Sequence, residues 1–215
     1  MNLLKDEDKK FISDEFKKLQ DEVKLTLFTQ KLECQYCEQT HRLLEEVTAL
    51  SDKLSFQAFN FTVDEEKAAA YGVDKIPATI VEGTKDYGMR FYGIPSGYEF
   101  MSLLEAISMV SLRDSGLSAD SKRKIKTVDK LMHIQVFITP TCPYCPRAVQ
   151  LAHRLAVEND HIVADMIEAI EFPYLSNRYR VQAVPKVDIN EKVQFEGALP
   201  EPAFVDQVLA AAEVE

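Results

Sequence analysis

All four cysteines of this 215-residue chain fall in two Cys-x-x-Cys pairs, Cys34-Gln35-Tyr36-Cys37 and Cys142-Pro143-Tyr144-Cys145. Forty-three residues after each leading cysteine stands an aliphatic–proline step, Ile76-Pro77 and Val184-Pro185, so cysteines and prolines share one displacement of 108 residues. A single Cys-x-x-Cys is compatible with chance or with a zinc knuckle. Two in register with a distant proline point to one dithiol unit built twice.

The hydrophobic pattern repeats with the cysteines. Phe11, Ile12, Phe16 and Leu19 have helical spacing, and Val23, Leu25 and Leu27 then alternate as in a strand. Ile125 and Val128, followed by Met132, Ile134 and Val136, do the same in the second half. Each Cys-x-x-Cys is followed by an amphipathic helix, a strand (Phe56 to Val63, Ile162 to Ile167) and a short helix before the proline. Two more strands come next, Thr79–Val81 with Met89–Tyr92 and Lys186–Ile189 with Lys192–Phe195, and then a closing helix around Tyr98–Leu112 or Pro202–Ala212. Gly116, between Ser115 and Ser118, marks the join, with Ser118 placed to cap the next helix. The pattern predicts an α/β chain of two units, residues 1–117 and 118–215.

A net charge of −10, without a stripe of Lys and Arg, argues against nucleic acid as a partner. Charges interrupt the first ten residues, and no run approaches the ~18 apolar residues of a membrane span. We therefore expect no membrane association and a cytoplasmic location, where vicinal cysteines are more often catalytic or metal-binding than structural.

A strand, a tight loop and a helix opening at Cys-x-x-Cys suit a reactive thiol. Free N–H groups at the helix start stabilise a thiolate, and a pKa lowered from about 8.5 to near 7 makes about half of the thiol reactive at neutral pH. The spacing brings the second sulfur within reach of the first. Cys34 and Cys142 are thus expected to attack a substrate disulfide, and Cys37 and Cys145 to resolve the mixed disulfide. Pro143 is expected to stiffen the second loop. Arg147 adds positive charge where the first unit has Gln39, and Tyr36 and Tyr144 either shape a substrate groove or cover the helix start.

The order of elements resembles the thioredoxin fold, and Val136-Phe137-Ile138-Thr139-Pro140-Thr141-Cys142-Pro143-Tyr144-Cys145 looks like a glutaredoxin active site. Over essentially its whole length the chain resembles the tandem glutaredoxin-like protein disulfide oxidoreductases of thermophilic prokaryotes. That resemblance implies two thioredoxin-like units, each a mixed β-sheet flanked by helices. It implies cis prolines facing the cysteines, with Ile76-Pro77 and Val184-Pro185 docking the extended substrate. It also implies protein disulfides or dithiols as substrates and a thioredoxin-reductase-type flavoenzyme as electron donor. Two features depart from relatives of this fold. No acid lies in Leu25–Phe28 or Ile134–Phe137 to take the proton of the second cysteine, and Asp165 and Asp188 align with Gln57 and Ile80. Tyr92-Gly93-Ile94 and Glu196-Gly197-Ala198 replace the Gly-Gly turn with which glutaredoxins hold glutathione.

The expected function is protein dithiol–disulfide exchange, with no metal and no cofactor beyond the cysteines. Two alternatives stand beside it. One is an electron shuttle to a peroxidase, like the tandem thioredoxin-fold module of alkyl hydroperoxide reductases, whose members keep one working pair. The other is a zinc-stabilised scaffold or peptide-binding protein, for which Cys34, Cys37 and His41 offer three potential ligands. His133, His153 and His161 form no ligand spacing and are expected to be structural.

Overall fold

A computed structural model describes residues 3–214. The first half runs α1 (Asp6–Phe16), β1 (Val23–Thr29), α2 (Cys37–Thr48), β2 (Leu54–Asn60), α3 (Glu65–Ala70), β3 (Ala78–Glu82), β4 (Asp86–Tyr92), a 3-10 turn (Gly97–Glu99) and α4 (Phe100–Leu112). The second half repeats it with α5 (Ala119–Ile125), β5 (Met132–Ile138), α6 (Cys145–Glu158), β6 (Ile162–Glu168), α7 (Pro173–Arg178), β7 (Lys186–Ile189), β8 (Val193–Glu196) and α8 (Glu201–Glu213). Ser118 caps α5, its Oγ accepting from Ser121 N–H at 3.2 Å. Both redox helices start at the second cysteine rather than at the first, so Cys34 and Cys142 lie in the turns before them. Pro143 accordingly lies in that turn, and Pro146 occupies the first helical turn, where its missing N–H costs no bond.

The two units, each resembling a thioredoxin, share one sheet. Its order is β2-β1-β3-β4-β6-β5-β7-β8, four strands from each half. The halves join where β4 pairs in parallel with β6, Met89 opposite Ala164 through Tyr92 opposite Ile167. That pairing satisfies one edge from each unit, and among the described strands β2 and β8 remain as edges.

Strand alternation splits the core into two layers. Leu25, Leu27, Met89, Phe91, Ile134 and Val136 face a large cluster completed by α2, α4, α6 and α8. Phe28, Ile80, Tyr92, Phe137 and Ile167 face a smaller cluster under α3 and α7. Between the halves α6 packs on α4 and on β4. Arg154 of α6 donates to Glu105 of α4 at 2.5 and 2.9 Å, and the buried His153 ring meets Phe91 of β4 edge-on at 4.7 Å. Among the described residues no helix is long and apolar enough to cross a membrane.

Burial pushes His153 down from the ordinary 6.5 to about 4. The unfolded chain therefore takes up this proton first, and stability present above 6.5 drains away as the pH falls towards 4. Denaturant unfolding at pH 7 and pH 4.5 should show a smaller acid loss for His153→Leu than for the parent. The difference should reach about 2–3 kcal/mol; equal acid losses would remove His153 as the sensitive group.

Candidate active site

Each leading cysteine follows the end of a central strand, β1 or β5, in the turn that runs into α2 or α6. The sulfurs close into disulfides, Cys34 with Cys37 and Cys142 with Cys145, at Cα separations of 5.5 Å. Within each pair the first cysteine is the more exposed residue. Cys34 is half-buried and Cys142 is 8% exposed, whereas Cys37 and Cys145 are 1% and 0% exposed. This asymmetry suits an attacking thiol followed by a resolving one. At the second pair the N–H of Cys145 points to Cys142 Sγ at 3.2 Å, so a free amide at the helix start faces the sulfur that must carry charge.

Both X–Pro bonds, Ile76-Pro77 and Val184-Pro185, are cis and lie immediately before β3 and β7. β3 and β7 are the antiparallel neighbours of β1 and β5, which brings the proline loops beside the cysteine turns. The Val184 carbonyl oxygen is 3.7 Å from Cys142 Sγ. Ile76 and Val184 are half-buried, while Pro77 and Pro185 are buried. Each proline is held from behind: Gly93 N–H donates to the Pro77 carbonyl at 2.9 Å, and Gly197 N–H to the Pro185 carbonyl at 2.8 Å. Gly93 and Gly197 have φ of 93° and 87°, a left-handed backbone in which a side chain would be strained. The glycines that replace a Gly-Gly turn thus tie the two proline loops in place.

The residues between and after the cysteines are placed differently in the two halves. Tyr36 is half-buried, Tyr144 is 71% exposed, and Pro143 and Arg147 are exposed. The His41 ring lies 5.0 Å from that of Phe56, and its Nε2 is 3.8 Å from Glu45. Among the described residues no group of three or more His, Cys, Asp or Glu side chains is arranged to hold a metal ion. His133 sits 2.5 Å from Asp165, and Asp188 accepts from Gln194 at 2.6 Å and from the Glu191 N–H at 2.9 Å. Asp188 is thereby held within the β7–β8 hairpin, and Asp165 is paired through one oxygen while its other has no partner among the described residues.

A buried acid in the turn that closes on the second cysteine loop has no acidic counterpart in the repeat. Glu99, in the 3-10 turn of the first half, is 0% exposed, and the turn packs against α6. The Tyr98 N–H donates to the Pro140 carbonyl at 3.1 Å, in the loop that leads to Cys142. Gly97 leaves no room for a side chain there, since a Cβ would come within 2.3 Å of the Pro140 oxygen. Glu99 receives one hydrogen bond, from the Ser102 hydroxyl at 2.6 Å, and its other oxygen has no partner among the described residues. Burial pushes this carboxyl up to about 7. A carboxyl with that pKa exchanges its proton at the pH where thiols react.

Proteins of known structure and sequence share this architecture. The family model described as a thioredoxin domain matches residues 132–210. A protein disulfide oxidoreductase from Aeropyrum pernix superposes with a TM-score of 0.91 and 31% identity, covering 97% of this chain and 94% of that one. The N-terminal domain of alkylhydroperoxide reductase AhpF from Enterococcus faecalis superposes with a TM-score of 0.89 and 25% identity, over 95% and 99% of the two chains. The F component of the alkyl hydroperoxide reductase of Pseudomonas aeruginosa is 26% identical over 78% of this chain. The chain spans only 30% of that relative's length and 27% of another's, an NADH dehydrogenase of Bacillus subtilis.

The raised Glu99 carboxyl makes a signed prediction. Its folded value lies above the ordinary 4.5, so its contribution to stability is complete below 4.5 and is lost as the pH rises through about 7. Glu99→Gln should therefore gain stability relative to the parent at pH 9 by about 2–3 kcal/mol and little at pH 5. Urea titrations at the two pH values measure this; a variant equally displaced at both would mean that Glu99 is already ionised at neutral pH.

Proposed function

The chain belongs to the tandem thioredoxin-fold protein disulfide oxidoreductases, and on that premise we propose that both Cys-x-x-Cys pairs exchange disulfides with other proteins. The observation that carries the reading is the repeated arrangement of an outer sulfur, a buried sulfur and a proline loop beside them. In the reducing direction the thiolate of Cys34 or Cys142 attacks one sulfur of a substrate disulfide. A mixed disulfide forms, and the substrate's other sulfur leaves as a thiolate that takes a proton. Cys37 or Cys145 then loses its proton and attacks the outer sulfur. The enzyme disulfide closes, and the substrate leaves with both sulfurs reduced; two electrons have passed from the dithiol. The reverse sequence forms a disulfide in the substrate.

The roles of the neighbours follow from their positions. The Cys145 N–H stabilises the Cys142 thiolate, and Arg147 and Pro143 tune the second pair. Ile76 and Val184, at the strand starts beside the cysteines, offer backbone to an extended substrate, as strand-adding peptides use a sheet edge. Tyr36 and Tyr144 border the two sulfurs. Glu99 supplies the proton acceptor for Cys145 that the central strands lack, through its buried carboxyl packed beside α6. The electrons need no further cofactor in this chain. A thioredoxin-reductase-type flavoenzyme recharges the dithiols, and the cytoplasm, which keeps thiols reduced, is where such a cycle would run.

The likeness to the F component of alkyl hydroperoxide reductases supports a second reading, delivery of electrons to a peroxidase. The two readings share the chemistry and differ in the acceptor. The presence of both cysteine pairs favours the broader oxidoreductase.

Dithiothreitol-driven reduction of insulin tests the reading. Wild type should accelerate it, and Cys34→Ser with Cys142→Ser combined should abolish the acceleration. The single variants apportion the activity: a loss in one names the dominant pair, and partial losses in both show parallel sites. Wild type no faster than dithiothreitol alone would overturn the proposal. Glu99→Gln should slow the Cys142–Cys145 reaction by about tenfold or more and remove an inflection near pH 7 from its rate profile.

A further inference from the structure

The two redox pairs are not equally approachable, and the order of strands explains why. Each cysteine-bearing strand has an antiparallel neighbour that begins at the proline, β3 or β7, and a parallel neighbour on its other side, β2 or β6. β2 is an edge of the sheet, so the first pair keeps an open flank on that side. β6 pairs with β4, so the matching flank of the second pair is filled by the first unit. There Glu171 accepts from the Ile94 N–H at 2.8 Å, and the 3-10 turn closes on Pro140.

On the open flank lies a cleft of about 480 Å³ that both Cys34 and Cys37 line. Its size falls within the roughly 300–1,000 Å³ of small-ligand sites. Thr29 and Asn60, paired at the ends of β1 and β2, form part of its wall, so it lies across β1 from the Ile76-Pro77 loop. It is therefore separate from the proline loop against which an extended peptide would dock. Lys31 and Glu38 bring opposite charges to it, and neither forms an ion pair with another described residue. Displacement by 108 residues puts Thr139 and Pro146 at these two positions around the second pair, so the charges belong to the first alone.

We propose that this cleft admits small zwitterionic disulfides, of which cystine is the simplest, as substrates of the Cys34–Cys37 pair. The second pair lacks the two charges at the matching positions and has no such preference. A carboxylate of the ligand meets Lys31 and an ammonium meets Glu38, beside the sulfur that Cys34 attacks. The Cys34 thiolate bonds one cystine sulfur, the cystine S–S bond breaks, and one cysteine leaves as a thiolate and takes a proton. Cys37, having lost its proton, then attacks Cys34; the enzyme disulfide forms and the second cysteine leaves. Two electrons pass from the enzyme dithiol to cystine, and dithiothreitol restores the dithiol in vitro. This inference rests on the disulfide-exchange reading above and adds a substrate class to one of its sites.

The test uses the full chain, with insulin, cystine and the uncharged hydroxyethyl disulfide as substrates for wild type, Cys34→Ser and Cys142→Ser. Cys34→Ser should lose cystine turnover by about tenfold more than it loses insulin turnover, and Cys142→Ser should keep it. Lys31→Glu should raise the KM for cystine about tenfold and leave that for hydroxyethyl disulfide within about twofold. If both cysteine variants divide cystine and insulin in the same proportion, the assignment of small disulfides to the first pair is wrong. If Lys31→Glu shifts both small disulfides alike, zwitterion recognition is wrong. Wild type inactive on insulin as well would instead remove the disulfide-exchange reading itself, and this inference with it.

Discussion

The parallel pairing of β4 with β6 is the contact on which the rest of the molecule depends. Separately, each unit would expose the edge of a four-stranded sheet, with its backbone donors and acceptors open to other chains. Joined, they make one eight-stranded sheet whose helices pack across the junction, α6 on α4 and His153 on Phe91. The junction also runs close to the second redox pair. The segment that leaves β4 passes from Gly93 to Glu99, touching the segment after β6 through Glu171 and the cysteine loop through Pro140. Fusion therefore makes the first unit part of the second unit's site.

Within each site the chemistry depends on local backbone more than on side chains. A central strand delivers the outer cysteine to a turn, and the following helix begins at the inner cysteine and buries it. The proline loop is anchored through one amide of a glycine in left-handed backbone, Gly93 or Gly197. None of these positions asks for a large polar side chain. A few cysteines, prolines and glycines consequently carry most of the site, which is why a periodicity in the sequence could reveal it.

The 108-residue displacement made the cysteines, the prolines and the succession of strands and helices legible, because each follows from local pattern or from turn chemistry. The joining of the sheets was not legible. Met89–Tyr92 and Ala164–Ile167 look like ordinary buried strands, and nothing local tells a strand which edge it will meet. Glu99 is hidden for a related reason. A search guided by the repeat expects an acid at equivalent places in both halves, and the position of Glu99 corresponds to Ala203 once the shorter second hairpin is allowed for. Its only signal is a carboxyl just before the apolar run of α4, which reads equally well as a favourable charge at a helix start. The spacing of the cysteines suits a turn as well as a helix, so it leaves open which cysteine begins α2 and α6.

Fusion of two copies also breaks their equivalence. In an eight-stranded sheet of this order one unit contributes β2 as an outer edge, while the other has the corresponding strand, β6, in the interior. The residues that follow β4 fill the space beside the second pair, and they bring with them a buried carboxyl that the first pair's strands do not provide. Enclosure and acid thus arrive together, since both come from the segment between Gly93 and Glu99. The first pair has the complementary character: a half-buried leading cysteine, an open flank and, among the described residues, two charges at its cleft outside any ion pair. No difference in the cysteine motifs is needed to set this division. Even with identical Cys-x-x-Cys sequences, the junction would leave one site enclosed near a buried carboxyl and the other with an open flank.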